Sequence, residues 1–479
     1  MYRMFVKNPR QLFALALMLC AVPSHAAKLS ADIGSLVDSY AQQNIFSGSV
    51  LVARDGKVIY SGAKGLANRA ENIPNTEATR HNIGSMGKTF TAVAIMQLAE
   101  QGKLQLTDPI GKYLHAYPHP DKESITVAHL LNHSGGTGNY MGHPSFRGRM
   151  GELKEISDFL PLIYDHKPSF PPGTRYSYSN SGMVLLGAIV EKASGMRYAD
   201  YLQKHVFAPA GMTESGLWRE RDPLPQRSLG YTRRPDGTYA DNVNDVPPPA
   251  SDGGMRTTAR DLLKYDLALR GTALLSEASK QRMYTPSGPS EFYGYGWERR
   301  PAHGDFQLGH PGGAPGISAD LRRYEGSRYV VIVLSNMNQG SRDLTDQIEA
   351  ALYGKKFALA TPATANLLYA FTLARTDPRA AAALLDKNVG HAASLYQSAR
   401  IRIEAKIDAE QALAALDHYL TLPREDGAIP VAAVWWRKGN ALELMGKPAD
   451  ARRAYETALA ADSKHEGARL ALDKLGPKT

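Results

Sequence analysis

The apolar pattern of the chain changes period along its length, and that change limits the folds open to it more than any other feature. From Ser47 to Gly65, "SGSVLVARDGKVIYSGAKG" alternates as strands do and breaks at Asp55-Gly56, a pair that tolerates the positive φ of a tight hairpin turn. Much later, "ADLRRYEGSRYVVIVL" reads as a second hairpin whose last strand, in "RYVVIVLSNMN", is apolar without interruption and therefore buried. Between these the period is helical, at Phe90 to Leu98, Met183 to Ala193 and Leu262 to Leu269. Strands, then helices, then strands predict helices packed on an antiparallel sheet, an α/β chain of the α+β kind. Past about Thr361 the strand signals stop, and alanine-rich helical patterns run to Thr479. We therefore expect a mixed domain over residues 28–355, a linker over 356–362 within "GKKFALATPATAN", and an all-α region over 363–479.

Residues 1–26 have the layout of a removable export signal. Arg3, Lys7 and Arg10 precede an apolar run from Leu12 to Val22, and Ser24-His25-Ala26 offers a small-x-small cleavage site. The 11 residues of that run are too few for a membrane span, which needs about 20; an uncleaved N-terminal anchor is the competing reading. Cys20, the only cysteine, lies in this segment behind Leu19, where a lipoprotein site requires a small residue. Removal of the segment leaves no thiol, which excludes thiol catalysis, a disulfide framework and cysteine-ligated metals. A periplasmic or secreted product of this kind must use oxygen nucleophiles or other chemistry. The formal charge of +9 would fall to +6 with loss of the three basic residues of the signal. Lysine and arginine are scattered among acids without a basic run, which argues against a nucleic-acid partner. The chain is 43% apolar and 22% charged, enough for a large core and a second domain.

The stretch "NIGSMGKTFTAVAIMQLAEQGKL" places Ser85 three residues before Lys88 where an apolar helical pattern begins. Residues i and i+3 share a helix face, so the amine can reach the hydroxyl. A helix start also offers free N–H groups to an alkoxide or a developing oxyanion. Ser61-Gly-Ala-Lys64 has the same spacing but lies at the end of a hairpin strand, where residues three apart face opposite sides. In "TRYSYSNSGMVLLGAIV", Tyr178-Ser179-Asn180 precedes a second apolar helix. A tyrosine beside cations can act as phenolate, and an asparagine can bond both a lysine and a substrate amide; taken alone, the triplet also reads as a packed tyrosine and a helix cap. In "QLGHPGGAPGISADLRRY", His310-Pro311-Gly312 would put a cationic residue on a strand beside the cleft. His133 and His465 share the H-x-G spacing, but His133 falls in a loop ahead of Tyr178 and His465 in the helical tail. A lone His310 would be structural.

Together, Ser85-x-x-Lys88, Tyr178-x-Asn180 and His310-x-Gly312 make the region from about Ser47 to Asn338 resemble the serine β-lactamase and penicillin-binding protein superfamily. The similarity is to the branch holding class C β-lactamases, D-alanyl-D-alanine carboxypeptidases, D-aminopeptidases and esterases. "LLNHSGG", "PPGTRYSYSNSGMVLLGAIVEKASG", "FAPAGMTESG", "GGMRTTARDLLKY" and "YGYGW" support it. The resemblance implies an all-helical lobe and a five-stranded antiparallel sheet flanked by helices, with the active site in the cleft between them. It implies attack by Ser85, proton transfer by Lys88 with Tyr178, and positioning of Lys88 and the substrate amide by Asn180. His310 would tune the field at Tyr178. The N–H groups of Ser85 and Gly313 would form the oxyanion hole, Gly312 would line the substrate site, and water would release the acyl-enzyme. No metal or organic cofactor is implied. Many relatives have threonine or serine after the lysine or histidine, where its hydroxyl binds a substrate carboxylate; Pro311 has none. The resemblance thus implies an exported serine hydrolase acting on small amides or esters, with peptidase or esterase action favoured. The alternatives are β-lactamase or D-alanyl-D-alanine carboxypeptidase activity, and a penicillin-binding sensor or scaffold that does not turn over.

In the tail, "WWRKGNALELMGKPADARRAYETALAADS" resembles a tetratricopeptide repeat through Trp436, Gly439, the turn at Gly446-Lys447-Pro448, and Ala451 four residues before Tyr455. A weaker echo places Ala412 four before Leu416. Such helix pairs bind segments of partner proteins, or else simply cover the hydrolase region.

Overall fold

The computed structural model describes residues 25–234, 236–423 and 428–476. The expected export segment, Cys20 included, lies outside the described residues except for its last two positions.

Six strands form the main sheet: β1 (Gly48–Arg54), β2 (Lys57–Lys64), β3 (Glu298–Ala302), β4 (Asp305–Ala314), β5 (Ile317–Tyr324) and β6 (Tyr329–Ser335). Their order is β2-β1-β6-β5-β4-β3, and every neighbouring pair is antiparallel. The sheet thus has one strand more than the five expected. The additional strand, β3, reads "ERRPA", with four polar or proline positions in five. A strand of that composition survives only at an edge, where Pro301 need not donate to a second neighbour. Its pairing with β4 stops at Gly309↔Glu298, so beyond Gly309 that side of β4 is free.

The uninterrupted apolar run of β6 is explained by burial on both faces. Val330, Ile332 and Leu334 pack into a cluster with the helical lobe, while Tyr329, Val331 and Val333 pack on the opposite side. The second side is covered by α1 (His25–Gln42), through Leu29, Ile33, Leu36, Val37 and Tyr40 at helical spacing, together with Leu344 and Ile348 near the end of the mixed region. On the first side lie α2 (Lys88–Glu100), α3 (Asn180–Ser194) and α4 (Ala259–Arg270). The α2 segment from Lys88 to Leu98 is buried at every position, as expected of a helix that is apolar all round.

From Pro362–Leu373 to Glu466–Leu475 the described residues form seven helices. The sequence-predicted helix pair is Val431–Leu444 against Pro448–Ala461. Gly439 is required where the two cross, because a Cβ there would lie 2.2 Å from the Tyr455 ring. The first helix of this region touches the mixed domain, with Ala365 and Leu368 joining the α1 cluster and Arg233 lying 5.5 Å over the Tyr369 ring.

Candidate functional site

Ser85 lies in a one-turn 3₁₀ helix, Gly84–Gly87, that leads directly into α2. The expectation that Ser85 opens the α-helix is thus corrected by one turn: α2 begins at Lys88 itself. The tighter turn still brings the pair together, with Lys88 Nζ 3.1 Å from Ser85 Oγ. Lys88 is 0% exposed, and its ammonium donates to Asn180 Oδ1 at 2.8 Å and to the main-chain oxygen of Asp252 at 2.5 Å. All three acceptors are neutral oxygens. Burial without a paired carboxylate favours the uncharged amine and pulls Lys88 down to about 8, although the more distant Asp252 charge opposes this. The competing Ser61 and Lys64 lie on β2, where Lys64 pairs with Asp38 at 2.6 Å.

Asn180 is the first residue of α3, and the helix is capped by the neighbouring Ser179, whose hydroxyl accepts from Gly182 N at 2.9 Å. This leaves the Asn180 amide free for the site. Its Nδ2 donates to Asn139 Oδ1 at 3.3 Å while Oδ1 takes the lysine. Tyr178 is 39% exposed at the rim, with its hydroxyl hydrogen-bonded to Ser85 and Lys88 Nζ 4.9 Å from its ring centre. Burial of the hydroxyl end, reinforced by the Asp252 and Glu298 charges, pushes the phenol above its ordinary value against the pull of the Ser85 bond.

His310 is buried on β4, its ring 6.2 Å from that of Tyr178. Burial and the Lys88 charge pull the imidazole down to about 4. Burial thus favours the uncharged form of both Tyr178 and His310, and works against the cationic strand residue anticipated from the sequence.

Gly312 occupies the part of β4 that lacks an outer partner, pressed against the serine turn. A Cβ on Gly312 would lie 1.8 Å from the Ile83 oxygen. Gly313 is exposed, and it lines a cleft of about 150 Å3 together with Ser85, Asn180 and Asp252. The remaining walls are largely apolar, from Met141, Val246, Pro247, Pro248, Ala314 and Pro315.

Sequence reasoning passes over four residues that the fold brings here. Tyr140 donates its hydroxyl to Asp252 Oδ2 at 3.0 Å, fixing the loop whose carbonyl holds Lys88. His133 and Tyr293 are joined at 3.0 Å behind Tyr178. The one available signal was the H-x-G spacing at His133, which a loop position argued against. Among the described residues no group of three or more histidine, cysteine, aspartate or glutamate side chains could hold a metal ion, and no helix is long and apolar enough to cross a membrane.

Known proteins share this fold. The β-lactamase family profile matches residues 30–355. Penicillin-binding protein 4* of Bacillus subtilis (strain 168) is 30% identical over 352 residues, spanning 67% of this chain and 76% of its own. A D-aminopeptidase of Gluconobacter oxydans (strain 621H) is 25% identical over 343 residues, spanning 69% and 63%. The crystal structure of a penicillin-binding protein from Bacillus halodurans matches with a TM-score of 0.61 at 35% identity, over 66% of this chain and 98% of that one. The sheet and helices agree with these matches, and the chain belongs to the β-lactamase family of serine hydrolases.

Proposed function

We propose that the chain is a serine hydrolase that forms an acyl-enzyme on Ser85 and acts on small amides or esters. The observation that carries this reading is a fully buried lysine, held by neutral oxygens only, 3.1 Å from a reachable serine hydroxyl. With its pKa near 8, about one Lys88 in ten is an uncharged base at pH 7, against a few in ten thousand for an ordinary lysine. Lys88 takes the Ser85 proton as Oγ attacks the carbonyl carbon. The oxyanion that forms lies between the N–H groups of Ser85 and Gly313. Tyr178, protonated and bonded to Ser85, gives its proton to the leaving amine or alkoxide and regains one from the Lys88 ammonium. Asn180 holds Lys88 and meets the substrate amide, and water then cleaves the acyl bond.

The cleft walls support substrates with an apolar acyl part and no carboxylate near the scissile bond. Among the described residues no arginine or lysine lines the cleft, and Pro311 supplies no hydroxyl. Export through the N-terminal segment fits this chemistry. The tail, with Gly439 closed on Tyr455, fits a tetratricopeptide-like unit, separate from a hydrolase domain over residues 28–355, that binds a protein segment. A second reading, a penicillin-binding sensor, is favoured by the penicillin-binding proteins among the relatives.

The test follows intact mass and released nitrophenol when the protein and a Ser85→Ala variant meet a p-nitrophenyl ester or benzylpenicillin. A burst and adduct confined to the parent, followed by turnover of the ester, supports the hydrolase. Stable penicilloylation without turnover of either compound supports the sensor, and equal behaviour of parent and variant removes both.

A further inference from the structure

Four hydrogen bonds behind the site run in a single direction. Ser179 N–H donates to His133 Nδ1 at 3.2 Å, so in the neutral ring the proton of His133 is on Nε2. That nitrogen lies 3.0 Å from the Tyr293 hydroxyl oxygen and donates to it. The Tyr293 proton is then directed to His310 Nε2 at 2.9 Å. His310 Nε2 being an acceptor, its own proton sits on Nδ1, 2.6 Å from the Pro311 carbonyl oxygen. Every donor meets an acceptor, and with both rings neutral no other assignment achieves this. A proton added to His310 Nε2 would confront the Tyr293 hydroxyl with two donors and leave its own hydrogen without an acceptor.

The chain is sealed from water. His133, Tyr293 and His310 are all buried, and His133 adopts φ 60°, which holds its ring in place from a left-handed backbone position. The Tyr178 ring leans on this group from the cleft side, 4.5 Å from the His133 ring and 6.2 Å from that of His310. The ionisable groups facing His310 are Lys88 from α2, Glu298 from β3, Tyr178 ahead of α3, and Tyr293, with His133 and Tyr176 on the far side of Tyr293.

We propose that His133 and Tyr293 are positioning residues of the acyl-transfer site, holding His310 as the neutral Nδ1–H tautomer against Tyr178. This rests on the reading of Ser85, Lys88, Tyr178 and His310 as one catalytic group. The function of the arrangement is electrostatic. When Lys88 accepts the serine proton it becomes an ammonium, and a cationic His310 nearby would repel it and slow the transfer. Burial and the Lys88 charge already disfavour that second cation, and the tyrosine bridge adds to them by giving the neutral Nε2 a donor.

The test uses the full chain, labelled with nitrogen-15, and long-range proton–nitrogen spectra of the histidine rings. The His310 signal is identified by its loss in His310→Asn. In the parent, His310 should appear as the neutral Nδ1–H tautomer throughout the range from about pH 5 to 8. In Tyr293→Phe, which removes the donor to Nε2 but leaves burial and Lys88 in place, His310 should begin to protonate at a higher pH than in the parent, and acylation by the p-nitrophenyl ester should fall about tenfold further per pH unit below the new midpoint. In His133→Gln, whose amide N–H can replace the Nε2 donor to Tyr293, His310 should keep the parent's Nδ1–H tautomer. An imidazolium or an Nε2–H tautomer in the parent at pH 6 overturns the proposal even where Tyr293→Phe does not fold, as does an unchanged His310 signal in folded Tyr293→Phe. Failure of the underlying catalytic reading shows differently, as acylation that survives Ser85→Ala whatever the ring spectra show.

Discussion

Replacing Gly312 by alanine should disable the site while sparing the fold. The new methyl would lie 1.8 Å from the Ile83 oxygen, 2.8 Å from its carbon and 3.2 Å from Met86 N. That oxygen accepts the Met86 N–H at 3.2 Å and so closes the turn carrying Ser85. Reaching the 3.0 Å that real Cβ contacts respect requires strand and turn to separate by roughly 1.2 Å, and a misplacement of about 1 Å costs on the order of 10²-fold in rate. Overpacking of this kind costs about 1–3 kcal/mol of stability, which a chain of this size tolerates. The strand is already free on its outer side beyond Gly309, so it can yield there. Stopped-flow bursts with the p-nitrophenyl ester, beside urea unfolding, would separate the two effects. Gly313→Ala is the stability control, since its nearest neighbour would be the Ile317 oxygen at 3.8 Å. A folded Gly312→Ala variant with the parent's burst rate would refute the claim that this contact sets the serine turn.

The depressed Lys88 value makes the uncharged amine the active form, so the acylation rate should rise with pH and level off above about 8; a flat burst rate from about pH 6 to 9 would contradict Lys88 as the base. Burial also lowers His81 to about 3 and His310 to about 4, and takes His133 well below its usual value. Their contribution to stability is complete above the unfolded value of about 6.5 and is lost as pH falls toward the folded values, by roughly 2 kcal/mol at pH 5 for each of His81 and His310. Thermal unfolding at the two pH values checks this, and an unchanged Tm would contradict it. Arg256 is 1% exposed and held by both oxygens of Glu220 at 2.6 Å, so Glu220→Ala should cost about 3–5 kcal/mol in urea unfolding.

What could be read from the sequence follows the range of the interactions concerned. Ser85 and Lys88 are three residues apart, and Tyr178 and Asn180 open a helix whose apolar pattern is plain, so local spacing was sufficient for both. The burial of β6 was legible because apolarity on both faces leaves an unbroken run. The β3 strand was not, because an edge strand reading "ERRPA" carries no period and exists only through its register with β4. His133 and Tyr293 are far apart in the chain and meet only after the helical lobe has folded onto the sheet, so no local pattern links them. The charge state of His310 was likewise beyond reach, since it depends on burial and on the Lys88 charge, both supplied by other segments.

The placement of β1 beside β6 has a consequence for how the protein is made. Val52 pairs with Val331, with the whole helical lobe between them in the chain. Closing so long a loop is slow, and little non-local contact repays its entropy before the last strands arrive. While the ribosome is still adding β5 and β6, the nascent chain displays a β1–β2 hairpin whose Val50, Leu51 and Val52 have an unpaired edge, a surface ready to recruit other chains. Synthesis of this enzyme therefore demands a period of protection, by a holding chaperone or by passage across a membrane before folding, and truncations that end before Ser335 should aggregate rather than yield a smaller folded core.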